Sequence, residues 1–193
     1  MSIIAAKIDR KKHTITIASD SICLMGSEKY TCNKISQIDD DFIVGGAGEY
    51  TANQLLFNNL YNIYKHKQLN VDENNLTTES FLYHIFKQAY LQTVEDRKIG
   101  VDSEWFDFDY LVFYKNKLYK IFTSFYDENG NDSVKTLEVL SIDKDYLAVG
   151  SGQQFVTCAM RLGKSPEQAI KIANEFENNI DGNINVITLS FYD

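Results

Sequence analysis

The apolar residues of this chain change their period along its length and then change back, and that alternation restricts the fold more than any single motif does. Two β-branched runs, Ser2 to Ile8 (SIIAAKI) and Thr14 to Asp20 (TITIASD), are joined by the polar stretch Asp9 to His13 and read as a hairpin. Ile35 to Ile38 and Phe42 to Gly45 read as a second, shorter hairpin turned by Asp39-Asp40-Asp41, which runs into the glycine-rich stretch Gly45 to Gly48. From Thr51 the spacing becomes helical: Ala52, Leu55, Leu56, Asn59, Leu60, Ile63 and Lys67 recur as on one face of an amphipathic helix.

The polar segment Asn70 to Asn75 ends that helix, and a second begins after Thr77 or Thr78 with Phe81, Leu82, Ile85, Phe86, Ala89 and Val94 on its apolar side. Phe106 to Tyr114, Lys117 to Phe125, Val134 to Leu140 and Tyr146 to Val149 then read as strands of a second antiparallel meander. Its turns fall at Lys115-Asn116, Asn129-Gly130 and Asp143-Lys144. Gly150-Ser151-Gly152 opens a third helix through Phe155, Val156, Ala159 and Met160. A fourth starts at Ser165-Pro166-Glu167-Gln168, where Ser165 is an N-cap, Pro166 takes the first helical position and Gln168 completes a capping box. Ile184 to Phe191 closes the chain as a strand after an Asp181-Gly182 turn.

Strands, a helix pair, strands, a second helix pair and a last strand can bury every apolar stripe if two antiparallel sheets stack face to face with helices on both outer faces. The expected fold is therefore α+β, a four-layer α/β/β/α sandwich. Residues 1–193 are expected to form one domain, because Pro166 is the only proline and no linker-like or low-complexity stretch marks a boundary.

A net charge of −8 with dispersed lysines argues against a nucleic-acid partner. No apolar run approaches the roughly 18 residues of a membrane span, and no signal peptide precedes the first strand, so a cytoplasmic protein is expected. Cys23, Cys32 and Cys158 fit neither a disulfide framework nor a zinc pattern, and free thiols are the expectation. Asp127, Asn129, Asn131 and Glu138 carry calcium-loop spacings, but Asp132 stands where glycine is needed and the flanks are strands, so a hairpin turn explains them better. His13, His66 and His84 are scattered, and neither a metal nor a cofactor is expected.

Ser2 follows Met1 and is small enough for methionine removal, which would place a hydroxyl and a free α-amine on one residue. A serine hydroxyl needs a base to take its proton, and an α-amine titrating near pH 8 suits that work at neutral pH. Many chains begin this way, so Ser2 gains meaning only from the residues downstream of it.

SIIAAKI, TITIASDS, Lys34-Ile35, VGGAGEYTANQLL, and YLAVGSGQQF followed by SPEQAI together resemble the proteasome β-type subunits, N-terminal-nucleophile hydrolases that include the bacterial protease subunit working with an ATPase ring. The resemblance spans almost the whole chain in order; between about His66 and Asp145 it holds only in the pattern of elements. It implies Ser2 as nucleophile, where most active members have threonine, with Asp20, Lys34 and Ser151 as its catalytic companions. In those roles Lys34 lowers the α-amine's pKa by like-charge repulsion, Asp20 keeps Lys34 charged and oriented, and Ser151 hydrogen-bonds the amine. The Gly48 N–H corresponds to the oxyanion donor, and Cys23, Cys32, Gly46 and Tyr50 to the pocket for the residue before the cleaved bond. With no side chain on Gly46 and no charge present, that pocket should favour large apolar or aromatic residues.

Two departures keep alternatives open. A second register places Met1 in the nucleophile slot, which would mean a silent homologue, and the acidic residue after the last helix is either Glu177 or Asp181 with no serine nearby. The resemblance further implies a homo-oligomer of six or more subunits with the Ser2 ends inward, acting on unfolded polypeptide or peptides fed by an ATPase unfoldase ring. A catalytically silent assembly or binding subunit and a non-peptidase amidase on the same fold are the other readings. The joint presence of Asp20, Lys34 and Ser151 favours the peptidase over the silent subunit.

Overall fold

The computed structural model describes residues 2–25, 28–71, 75–97, 108–126, 134–177 and 182–191. Strands β1 (Ile3–Asp9) and β2 (Thr14–Asp20) form the predicted first hairpin, in register from Ile4↔Ser19 to Asp9↔Thr14. They are the middle of a four-stranded antiparallel sheet in the order β10-β1-β2-β11, with β10 at Tyr146–Gly150 and β11 at Ile184–Ser190. A five-stranded antiparallel sheet runs β5 (Ile35–Asp39), β6 (Phe42–Gly48), β7 (Phe108–Tyr114), β8 (Lys117–Tyr126) and β9 (Val134–Ile142) in sequence order.

The strand expectations need two corrections. Tyr146 to Val149 does not continue the second meander: β10 leaves β9 and pairs with β1, Ile3 opposite Gly150 and Lys7 opposite Tyr146. Ala148 and Val149 face different apolar clusters, and only a position between two buried layers satisfies both. A short hairpin of β3 (Ile22–Met25) and β4 (Glu28–Thr31) is an addition to the expected strands; β4 is exposed along its whole length and shows no alternation to read.

The helices follow the apolar spacing: α1 (Tyr50–Lys65), α2 (Thr78–Arg97), α3 (Gln153–Arg161) and α4 (Pro166–Ala173). The capping box at α4 forms as expected, with Gln168 N–H donating to Ser165 Oγ (3.2 Å) and Ser165 N–H to Gln168 Oε1 (3.2 Å). The Asn129-Gly130 turn and residues 127–132 of the calcium-like spacing lie outside the described residues.

Three apolar clusters hold these elements together. Leu56, Leu60, Leu82, Phe86 and Ala89 of α1 and α2 pack on Phe42, Val44, Tyr110 and Val112 of the five-stranded sheet. Ile4, Ala6, Ile8, Ile15 and Ile17 of the four-stranded sheet pack on Ile43, Leu111, Phe113 and Leu118 of the five-stranded one. Ile3, Ala5, Ala18 and Ala148 pack on Val156, Met160, Ile170 and Ala173 of α3 and α4. Each fully buried isoleucine contributes roughly 1.5–3 kcal/mol relative to exposure. β1 is buried on both faces, which fixes its start, and hence Ser2, against slippage.

Candidate active site

The register of the first hairpin carries Asp20, at the end of β2, to the start of β1. Ile3 N–H donates to Asp20 Oδ1 at 2.9 Å. On the other side of the same peptide unit, Ser151 N–H donates to the Ser2 carbonyl at 2.8 Å, because β10 ends opposite Ile3. The peptide joining Ser2 to Ile3 is thus gripped from both sides, and Ser2 is the residue held between Asp20 and Ser151.

Lys34 comes from the other sheet, just ahead of β5. Its Nζ donates to Asp20 Oδ2 at 2.7 Å and to the Ile22 carbonyl at 2.6 Å, while its own carbonyl accepts from Gly46 N–H at 2.9 Å. The side chains of Asp20 and Lys34 are 1% and 3% exposed. Burial pushes the Asp20 carboxyl above its ordinary range and the Lys34 ammonium below its own, and the pairing of the two opposes both shifts. Lys34 is thus a desolvated cation whose partner carboxylate also holds the residue next to Ser2.

Glycine geometry is required at two points. Gly150 has φ +97°, and a Cβ there would stand 2.0 Å from the Ser2 carbonyl oxygen and 3.2 Å from Ala47 Cβ. The close approach of β10 to Ser2 therefore demands glycine. Gly48, at φ 147°, ends β6 next to Ala47 and is exposed at the rim of the other sheet.

The four predicted pocket residues fare differently. The expectation of free thiols at Cys23 and Cys32 is overturned: the two form a disulfide. Cys32 lies one residue past β4, with its N–H on the Ser21 carbonyl (2.7 Å), and the added β3–β4 hairpin brings it back to Cys23. Cys158 is a free, exposed thiol. The space left by Gly46 is occupied, since a Cβ there would meet Tyr110 Cε1 at 2.4 Å and Asn53 Cγ at 3.1 Å. Tyr110 OH donates to Asn53 Oδ1 at 2.6 Å, and Asn53 Nδ2 donates to the Gly46 carbonyl at 3.3 Å. Tyr50 is exposed at the first turn of α1. Glu177 is half-buried just beyond α4, and Asp181 lies outside the described residues.

Three participants escape sequence reasoning. The Ile22 carbonyl carries no side-chain signature. The Tyr110–Asn53 bond joins residues 57 apart in the chain, which no local pattern reveals. Ser19 and Ser21 flank Asp20, and among the described residues their buried hydroxyls find no hydrogen-bond partner; Ser21 Oγ faces Gly182, where a Cβ would stand 2.7 Å away. A serine on each side of the aspartate is the available signal.

No protein-family model matches the chain, and no curated protein matches it. Solved structures do. Eukaryotic HslV from Trypanosoma brucei superposes with a TM-score of 0.60 at 19% identity, covering 99% of this chain and 100% of that one. Anbu, an ancestral β-subunit from Yersinia bercovieri, superposes with a TM-score of 0.63 at 11% identity, covering 97% of this chain and 81% of that one. The chain has the fold of these proteasome-like β-type subunits, over nearly its whole length.

Proposed function

We propose that the chain is a peptidase subunit of the N-terminal-nucleophile type, in which removal of Met1 exposes Ser2 as both nucleophile and base. The observation that carries this reading is the grip on the Ser2–Ile3 peptide by Ser151 and Asp20, with Lys34 buried on the same carboxylate. It favours the register with Ser2, rather than Met1, in the nucleophile position. The three apolar clusters fit the four-layer α/β/β/α arrangement in which this chemistry is expected.

Ser2 Oγ attacks the scissile carbonyl while its proton passes to the α-amine, whose pKa the Lys34 cation lowers by repulsion. The oxyanion of the tetrahedral intermediate takes the Gly48 N–H. Collapse forms the acyl ester on Ser2 and returns the proton from the α-amine to the departing amine. Water, deprotonated by the same amine, then attacks the ester; collapse breaks the bond to Ser2 Oγ, which takes the proton back from the amine as the peptide acid leaves. Asp20 holds Lys34 oriented through both steps, and the scheme uses no metal or cofactor.

A broad peptidase with an open site would harm its own cell. We therefore assign the chain to a homo-oligomer of six or more copies with the Ser2 ends inward, served in the cytoplasm by an ATPase unfoldase. A second reading, a non-peptidase amidase, draws support from Tyr110, which fills the space that Gly46 would otherwise offer to a large side chain.

The test is direct. The intact mass should lack Met1, an electrophilic peptide inhibitor should label Ser2, and Ser2→Ala should abolish hydrolysis without unfolding. Retention of Met1 with an unlabelled Ser2 sinks the nucleophile assignment in favour of a silent subunit. Turnover of small amides by a 22.1 kDa monomer that leaves peptides intact favours the amidase.

A further inference from the structure

We infer that the Cys23–Cys32 disulfide is a redox clasp beside the active-site ion pair, closing the β3–β4 hairpin so that the Ile22 carbonyl meets Lys34, and releasing that carbonyl when reduced. The inference rests on the peptidase reading for its catalytic consequence, though the structural consequence stands without it. Asp20 and Ile22 lie on the segment entering the hairpin, three residues and one residue ahead of Cys23; Lys34 lies two residues beyond Cys32 on the segment leaving it. The bond thus ties together the two chain segments that supply Lys34 and both of these acceptors.

Besides the disulfide, the hairpin has its own four strand pairs and, where it leaves toward Lys34, a bond from Gln54 Nε2 to the Asn33 carbonyl at 2.9 Å. β3 and β4 make a two-stranded sheet separate from both large sheets, and every residue of β4 is exposed. An isolated two-stranded ribbon is marginal in water. At the base, Cys32 N–H bonds the Ser21 carbonyl at 2.7 Å, and Asn185 Nδ2 bonds the Cys32 carbonyl at 3.3 Å. The two cysteines are buried, so a reductant reaches the sulfurs when the hairpin opens.

Disulfides in reducing compartments are characteristically transient or redox-sensing. Here a dithiol reductant attacks one sulfur as its thiolate, forming a mixed disulfide and releasing the other cysteine. The second thiol of the reductant resolves the mixed disulfide, so two electrons and two protons pass to Cys23 and Cys32 and the reductant leaves as a disulfide. The freed hairpin no longer fixes the Ile22 carbonyl against Lys34. A displacement of about 1 Å at such a group costs on the order of a hundredfold in rate.

The experiment takes the full-length protein through dithiothreitol buffers of graded potential with three readouts: maleimide mass shift, amide exchange over residues 21–34, and peptide hydrolysis. One adduct, at Cys158, is expected before reduction and three after it. With the new adducts, exchange at the Cys32 amide should rise at least about thirtyfold, the lower end for removing a disulfide's constraint. Hydrolysis should fall by about a hundredfold, and reoxidation should reverse both. The Cys23→Ser, Cys32→Ser double variant should match the reduced protein and ignore the reductant. Three adducts in the unreduced protein, or exchange and hydrolysis unchanged by reduction, would overturn the clasp. If the oxidised protein cleaves no peptide at all, the peptidase reading fails while the exchange readout still decides the clasp.

Discussion

The buried Asp20–Lys34 pair makes a prediction in which function and stability part company. Removing one partner leaves the other ionised in a site that water does not reach, a loss of roughly 3–5 kcal/mol. Neutralising the stranded group sets an independent ceiling. In Lys34→Met, the stranded Asp20 can take up a proton; from an ordinary pKa of 3.8, doing so at pH 7 costs about 1.36 × 3.2, or about 4.4 kcal/mol. In Asp20→Asn, the stranded Lys34 can shed its proton; from an ordinary 10.5 the cost is about 1.36 × 3.5, or about 4.8 kcal/mol. At roughly 2–4 °C per kcal/mol for a chain of this size, each single variant should melt between about 6 and 20 °C below the parent. The two ceilings tilt in opposite directions with pH. The Lys34→Met penalty shrinks by about 1.36 kcal/mol for each unit the pH falls toward 3.8, and the Asp20→Asn penalty shrinks equally as the pH rises toward 10.5. The double variant strands no charge, and the amide oxygen of the introduced asparagine can still accept from Ile3 N–H. Because burial disfavours both ions in the parent, the double variant should recover to within about 2 kcal/mol of it. All three variants should lose hydrolysis. Calorimetric melting of the four proteins at several pH values measures this. Penalties that simply add in the double variant, or that ignore pH, would refute the reasoning.

Local geometry sets two further outcomes. Gly150→Ala forces a Cβ to 2.0 Å from the Ser2 carbonyl at φ +97°; a loss of about 1–3 kcal/mol in melting should accompany near-complete loss of hydrolysis, because the displaced group is Ser2 itself. Ser165→Ala removes the capping box of α4 and should cost about 1 kcal/mol in thermal melting, with hydrolysis unchanged.

What is readable in the chain is what is local. The helix pairs announce themselves through spacing, and α4 through Ser165, Pro166 and Gln168, because caps and amphipathic faces are properties of neighbouring residues. β4 (EKYT) leaves no trace in the sequence because an exposed strand paired to one partner needs no alternation. Its silence conceals the disulfide too, since Cys23 and Cys32 meet only once that hairpin is folded. The membership of β10 is equally closed to inspection: Tyr146 to Val149 reads as a strand in either sheet, and only the two clusters on its faces decide. At the site, Asp20, Lys34 and Ser151 are legible through family pattern, whereas the Ile22 carbonyl and the Tyr110 ring over Gly46 belong to backbone and tertiary packing that no residue type signals.

The displacement of β10 from the meander is what assembles the site. Had Tyr146 to Gly150 paired with β9, Ser151 would stand beyond the far edge of the five-stranded sheet, with β6, β7, β8 and β9 between it and Lys34 beside β5. By crossing to β1 instead, the chain sets Gly150 opposite Ile3 and delivers the Ser151 N–H to the Ser2 carbonyl. Ser2, Asp20 and Ser151 then come from one sheet, and Lys34 and Gly48 from the other. The contact that makes the candidate site is therefore the packing of the two sheets, through Ile4, Ile17, Ile35 and Ile43, close behind these groups. That placement explains why Gly45 is needed as well: a Cβ there would press to 2.6 Å from Ile4 Cγ2 and push apart the very strands that carry Ser2 and Lys34.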